Sequence, residues 1–190
     1  MNAHKPTGSA YFHGVVDNEQ VSRTLSVVVD NEPGVLARVI GLFSGRGYNI
    51  ESLTVSETQH EQHLSRITIV TNGTANILEQ IKAQLERIIP VHRVVDLDTK
   101  AKELGFEKPI ERELALVKVK GTGNDRMEAL RIAEAFGATV VDANTTHFIF
   151  EMTGRVSKVN QFINIMRTLG AIEICRTGIT AMNRGSEGIW

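Results

Sequence analysis

The fold is decided by a strand–turn–helix stretch that reads Leu25-Ser26-Val27-Val28-Val29 and then Asn31-Glu32-Pro33-Gly34-Val35-Leu36. Such a junction presents unpaired backbone N–H groups and the positive end of a helix dipole. Pro33 is suited to a first helical position, and Gly34 lets a ligand approach the backbone closely. The stretch contains no nucleophile and no acid–base pair, so it predicts a site that binds rather than reacts.

The side chain of Asn31 is a neutral carboxamide that can both donate and accept hydrogen bonds. Together with the N–H groups and carbonyl oxygens of the turn, it could hold a small zwitterion through its carboxylate and its ammonium group. Asn31 could equally be a helix cap or an ordinary turn residue. The residues of the junction alone leave both interpretations open.

Outward from this junction, apolar periodicity predicts the order βαββαβ in each half of the chain. In the first half, strands are predicted at about 23–30, 48–57, 63–71 and 91–97, with helices at about 34–45 and 74–89. In the second half, strands are predicted at about 114–120, 139–143, 147–153 and 171–180, with one helix between the first two and another at about 156–168. The inward faces are predicted to carry Val35, Leu36, Val39, Ile40 and Phe43 on the first helix, Met127, Leu130, Ala133 and Phe136 on the third, and Phe148, Phe150 and Met152 on a strand.

The predicted fold class is α+β, with two tandem ferredoxin-like βαββαβ sandwiches. In each sandwich, two helices cover one face of an antiparallel sheet, and the other face must be polar or find a partner. We therefore expect oligomerisation. The predicted division is a mobile leader over 1–21, a first domain over 22–97, a linker over 98–110, a second domain over 111–185 and a tail over 186–190.

Composition excludes several classes of function. The net charge of −1 gives the 190-residue chain no bulk attraction to nucleic acid or to an anionic membrane. An RNA-binding module of this topology would need aromatic residues on its central strands, and the strand from Leu64 to Thr71 has none.

The single cysteine, Cys175, cannot form an internal disulfide and suits a reducing, cytoplasmic location. Its apolar strand predicts a buried structural thiol.

Two further motifs have alternative interpretations. His60-x-x-His63 could supply two metal ligands, but it lies in a predicted hairpin turn without a third ligand in register, so a solvated turn is favoured and no metal is expected. Gly121-x-Gly123 lacks the third glycine and the downstream acid of a dinucleotide-binding fingerprint, which favours an ordinary turn. Gly45 and Gly47 are expected to end the first helix.

Longer motifs run through both halves of the chain. In the first half they are Asn31-Glu32-Pro33-Gly34, Arg46-Gly47-Tyr48-Asn49-Ile50-Glu51-Ser52-Leu53-Thr54-Val55 and Leu64-Ser65-Arg66. In the second half they are Glu111-Arg112-Glu113-Leu114-Ala115-Leu116-Val117-Lys118-Val119, Gly154-Arg155-Val156-Ser157-Lys158-Val159 and Arg176-Thr177-Gly178-Ile179. The first half resembles the ACT domain, a regulatory amino-acid-binding module. Over roughly residues 22–186, the combination resembles the small, regulatory subunit of acetohydroxyacid synthase (acetolactate synthase).

The resemblance implies a subunit without catalytic residues of its own. In that family a large catalytic subunit carries thiamine diphosphate, Mg²⁺ and FAD, and the small subunit raises its activity and confers feedback inhibition by valine. The ACT domains pair as a homodimer with valine at their interface. Carried onto this chain, one wall of the valine site comprises Asn31, Gly34, Val35 and Leu36, and the other, from the partner chain, comprises Asn49 and Ile50.

The same resemblance suggests that Arg112, Arg176 and Arg184 are surface or interface charges that help to dock the large subunit. The alternative function is a free-standing ACT-type amino-acid sensor that regulates a different partner. An independent enzyme is disfavoured, because the sequence has no recognisable nucleophile–base, paired-carboxylate or phosphate-loop arrangement.

Overall fold

The computed structural model describes residues 19–189, which form two antiparallel sheets with helices packed on one face of each. Most of the predicted leader lies outside these residues, and position 21 already belongs to a strand. The first sheet has the strand order β2-β3-β1-β4. Its elements in chain order are β1 (Val21–Asp30), α1 (Val35–Arg46), β2 (Ile50–Gln59), β3 (Leu64–Gly73), α2 (Ala75–Leu85) and β4 (Val91–Asp96), and α3 (Leu97–Glu103) follows.

The second sheet repeats this arrangement with the order β6-β7-β5-β8. Its elements are β5 (Ile110–Lys120), α4 (Gly123–Phe136), β6 (Thr139–Ala143), β7 (His147–Gly154), α5 (Val156–Thr168) and β8 (Ala171–Arg176). The predicted α+β fold with two ferredoxin-like sandwiches is therefore confirmed. The predicted last strand is wrong in one respect: it divides at Gly178 (φ 83°), and β9 (Thr180–Met182) leaves β8 to pair with the beginning of β5.

The two cores follow from the periodicity of their elements. On β1, alternation buries Leu25, Val27 and Val29 under the helices. On α1, a spacing of four residues buries Val35, Val39 and Phe43, whereas Leu36 is 37% exposed and Ile40 is only half-buried, so the predicted apolar face is wider than the real one. Phe148, Phe150 and Met152 share the buried face of β7, as predicted.

On α4 the predicted inward face is wrong in part. Met127 is 53% exposed and Leu130 is also exposed, while Ala129 and Ala133 are fully buried. The two alanines are four residues apart and so lie on one face of the helix, which is the face that packs on the second core. Cys175 is also exposed, contrary to the predicted buried thiol, because it lies on the face of β8 that no helix covers.

The segment predicted as a linker contains α3, which packs against β1. Leu97 and Ala101 are fully buried. Asp98 is buried as well, and its carboxylate accepts hydrogen bonds from the Thr24 N–H at 2.8 Å and from Lys108 Nζ at 2.8 Å. Asp98 therefore fixes both α3 and the segment leading into β5 against β1. Within the predicted tail, Ile189 is buried and Glu187 lies 3.5 Å from Lys100 of α3.

The polar face of the first sheet is covered by the chain itself. Residues 177–182, here called the strap, cross from the second sandwich onto β2 and β3. The Ile179 N–H donates to Ser52 Oγ at 2.8 Å, and Arg66 Nη2 donates to the Ala181 carbonyl oxygen at 2.7 Å. Thr54 Oγ1 also donates to the carbonyl oxygen of Ile179. The strap thus ties the two sandwiches together without a second chain.

Candidate functional site

The turn between β1 and α1 exposes the beginning of a helix. Gly34 is the residue that precedes the first helical position, with φ 90°, and no side chain caps this end of α1. Pro33 therefore lies outside the helix rather than at its first position. The Arg38 N–H donates to the Gly34 carbonyl oxygen at 3.1 Å and so begins the helical hydrogen bonds. The Val35 N–H makes only a long contact of 3.5 Å, to the Glu32 carbonyl oxygen, and no side chain of the described residues competes for the dipole end of α1.

Asn31 lies at the other side of this turn. Its backbone N–H donates to the His63 carbonyl oxygen at 2.6 Å, and its side chain is exposed. The helix-cap interpretation of Asn31 is wrong, because Gly34 occupies that position. The side chain of Val35 belongs to the core and offers no surface to a ligand, whereas Leu36 has side-chain surface beside the turn.

Asn49 and Ile50 lie at the opposite end of the same sheet. The Asn49 carbonyl oxygen accepts a hydrogen bond from Thr71 Oγ1 at 2.6 Å, and Ile50 pairs with Thr71 on β3. Asp30, the neighbour of Asn31, pairs instead with Leu64 at the beginning of β3. The run from Leu64 to Thr71 measures about 23 Å in an extended strand. A single chain therefore does not bring the two predicted walls together.

The other sequence motifs occupy ordinary turns. The imidazole rings of His60 and His63 lie edge to face with centroids 6.2 Å apart, and His60 Nδ1 lies 3.0 Å from a carboxylate oxygen of Glu57. Among residues 19–189, no cluster of three or more His, Cys, Asp or Glu side chains could hold a metal ion. Gly123 begins α4, and the Gly121 N–H donates to the Thr146 carbonyl oxygen.

The three arginines proposed to dock a partner are engaged within the chain. Arg176 forms a two-pronged ion pair with Glu113, whose side chain is 4% exposed. Arg184 donates to the Lys108 carbonyl oxygen at 3.1 Å and lies over the ring of Phe106. Arg112 donates to a neighbouring backbone carbonyl at 2.7 Å. Arg176 in particular is a structural ion-pair partner rather than a free surface charge.

Two family models match the chain. One is described as an AHAS small subunit-like ACT domain and matches residues 25–93, and the other is described as the small subunit of acetolactate synthase and matches residues 112–185. A probable acetolactate synthase small subunit from Archaeoglobus fulgidus is 42% identical over 167 residues, which cover 88% of this chain and 99% of the relative. The chain belongs to the acetolactate synthase small-subunit family.

Further members of this family give the same match. The acetolactate synthase isozyme 3 small subunit of Escherichia coli is 41% identical over 166 residues, which cover 87% of this chain and 97% of the relative. The crystal structure of the acetolactate synthase small subunit from Thermotoga maritima has a TM-score of 0.78 and 36% identity, covering 88% of this chain and 99% of that chain. The recognition made from the motifs is therefore confirmed, together with the ACT domain in the first half.

A cavity of about 590 Å³ lies between the two sandwiches and was not predicted from the sequence. It is lined by β2, β3, the beginning of β5 and the strap, and Arg66 is a charged side chain in it. Arg66 interrupts the apolar pattern of β3, but only the position of the strap reveals that the second sandwich covers it.

Among residues 19–189, no helix is long and apolar enough to span a membrane.

Proposed function

We propose that this chain is a non-catalytic regulatory subunit that binds the large catalytic subunit of acetolactate synthase, raises its activity and confers feedback inhibition by valine. The family supports the partner, since its members are small subunits of that enzyme by name. The uncapped beginning of α1 beside Asn31 supports the effector site. That turn is the single observation that carries the proposal, because it offers an anion-binding backbone and a carboxamide without any catalytic group.

In the proposed site, the backbone N–H groups at the beginning of α1, next to Gly34, hold the carboxylate of valine. The long 3.5 Å hydrogen bond from the Val35 N–H to the Glu32 carbonyl oxygen gives way to it. The carboxamides of Asn31 and Asn49 satisfy the remaining polar groups. Leu36 and Ile50 accept the isopropyl side chain, with a transfer free energy of about 0.8 kcal/mol for each buried CH₂. The selection of an aliphatic amino acid follows from this combination of amides, backbone dipole and branched apolar side chains.

The site needs a second copy of the chain. β2 forms one edge of the first sheet, and β1 runs parallel to it because both are antiparallel to β3. Two β2 edges related by a two-fold axis would pair antiparallel, so the beginning of one β2 would lie beside the end of the other. The β1 strand of the second copy ends on that same side. Pairing would therefore bring its Asn31 turn towards Asn49.

We expect the purified chain to be a dimer at micromolar concentration, because pairing through β2 removes an exposed strand edge from each copy. Sedimentation velocity measured across a concentration series tests this. A monomer that binds valine with undiminished affinity would contradict a site shared between two chains.

The proposed chemistry belongs to the large subunit, with its thiamine diphosphate, Mg²⁺ and FAD. The purified chain alone, supplied with all three, is expected not to condense pyruvate. Mixed with the large subunit from the same organism, it is expected to raise the rate of acetolactate formation and to make that rate sensitive to valine. Acetolactate formed by the chain alone, free of large subunit, would overturn the proposal. A normal valine affinity with no effect on the large subunit would favour a free-standing sensor instead.

A further inference from the structure

The cavity between the sandwiches has the composition of a ligand site. Its volume, about 590 Å³, lies within the usual range for small-molecule pockets, and both sandwiches contribute to its walls. Apolar residues of the second sandwich and the strap line it, among them Ile110, Leu114 and Met182. Hydroxyl groups come from threonines and a serine on β2, β3 and the strap. A mainly apolar surface with a small number of polar and charged groups is typical of pockets that hold small organic molecules.

Arg66 is the charged group that the fold leaves uncompensated. Its Nη2 donates to the Ala181 carbonyl oxygen at 2.7 Å, and its Nε is buried without a hydrogen-bond partner among the described residues. Burial lowers the pKa of the Arg66 guanidinium below its ordinary value, although the group stays charged at neutral pH. A partly buried cation that has no carboxylate partner among residues 19–189 is costly, and the carboxylate of a ligand would offset that cost.

The cavity has two arginines in its wall and, among the described residues, no unpaired acidic side chain to balance the charge of an ammonium group. The acidic residue in the wall, within residues 19–189, is Glu113, and its carboxylate is already bound by Arg176 through both oxygens. Arg112, the second cation in the wall, adds further positive charge. The cavity therefore favours a carboxylate without an α-ammonium group. The hydroxyl groups near Arg66 suit an oxygen atom next to that carboxylate.

We propose that this cavity is a second ligand site, separate from the ACT effector site, which binds a small branched 2-oxo acid through Arg66. The carboxylate pairs with the guanidinium, the 2-oxo oxygen accepts from a threonine hydroxyl, and the aliphatic part packs against the apolar wall. The ligand would touch both sandwiches and would hold the strap against β2 and β3. The site lies on the face of the sheet, so it does not compete with pairing through the β2 edge.

The probe is 3-methyl-2-oxobutanoate, titrated by calorimetry into the full-length chain with saturating valine present to occupy the effector site. We expect saturable binding that Arg66→Gln weakens by about 10-fold or more, because a charge-assisted interaction is lost. Arg155→Gln, which removes the same charge from a residue outside this cavity, is the matched control and should leave the affinity unchanged. Valine itself should not compete for the cavity.

Hydrogen exchange on the wild-type chain tests ligand binding in the cavity even if Arg66→Gln fails to fold. The 2-oxo acid is expected to protect the strap and β2 from exchange, and Arg66→Lys should keep part of the affinity because it keeps the charge. The proposal is wrong if the wild-type chain shows no saturable binding, if Arg66→Gln binds as tightly as wild type, or if protection appears only at the β1–α1 turn. None of these results depends on whether valine inhibits the large subunit.

Discussion

Replacing Asn31 by Ala is expected to weaken valine binding by about 5- to 150-fold, the result of leaving polar groups of the bound amino acid unpaired at a cost of about 1–3 kcal/mol. The side chain is exposed and does not cap α1, so its loss should leave the fold intact. Asn49→Ala should have a similar effect from the other wall. The measurement is calorimetric titration of each variant with valine, followed by inhibition of the reconstituted enzyme.

Gly34→Asp is expected to have the largest effect on the same site. Gly34 has φ 90°, which an L side chain rarely adopts, and a carboxylate there opposes the carboxylate of valine at the beginning of α1. Valine inhibits only to the extent that it binds the inhibitory state more tightly than the active one. The variants should therefore lose inhibition and still raise the activity of the large subunit.

The control is Asn124→Ala, in the corresponding strand–helix turn of the second sandwich. Asn124 is exposed in the first turn of α4, and its replacement should leave the valine response largely unchanged. If Asn31→Ala and Asn49→Ala reconstitute normally and respond to valine as the wild-type chain does, the site has been assigned to the wrong residues.

The local features of this fold were predictable because they depend on neighbouring residues. The alternation of buried and outward-facing residues predicted β1 and β7. Gly47 ends α1 in the left-handed conformation, as predicted. Side-chain environments that depend on distant elements were not predictable to the same degree. The exposure of Cys175 follows from which face of the second sheet the helices cover. The exposure of Met127 follows from the orientation of α4 about its axis, which turns Ala129 and Ala133 towards that sheet.

The same distinction between local and distant contacts applies to the candidate sites. Sequence motifs identify Asn31 and Asn49 as candidates, but only the strand order indicates that they lie at opposite ends of one sheet and need a second copy. The cavity around Arg66 depends on hydrogen bonds between residues more than a hundred positions apart, such as the one between Arg66 and Ala181. No local pattern encodes such a contact, so this cavity could not be predicted from the sequence.

The ion pair between Arg176 and Glu113 is expected to stabilise the second sandwich and its connection to the strap. Arg176→Met removes the cation and leaves the Glu113 carboxylate, 4% exposed, without its partner. Breaking a fully buried pair costs about 3–5 kcal/mol. Because Arg176 is 37% exposed and water can reach the site, we expect a loss of about 2–3 kcal/mol in the free energy of unfolding. Chemical denaturation with urea measures it.

The matched control is Lys118→Met, which breaks another ion pair between the same two strands, β5 and β8. Lys118 pairs with Glu173, whose side chain is 66% exposed, and the hydrogen bond and charge of Lys118 lower the pKa of Glu173. Water and salt screen such an exposed pair, so its removal should leave the urea midpoint nearly unchanged. Both substitutions replace a cation by Met, so a larger loss for Arg176→Met reflects the burial and the two-pronged geometry of its pair. Equal midpoints for the two variants would mean that Arg176 is a surface charge after all, free to take part in docking.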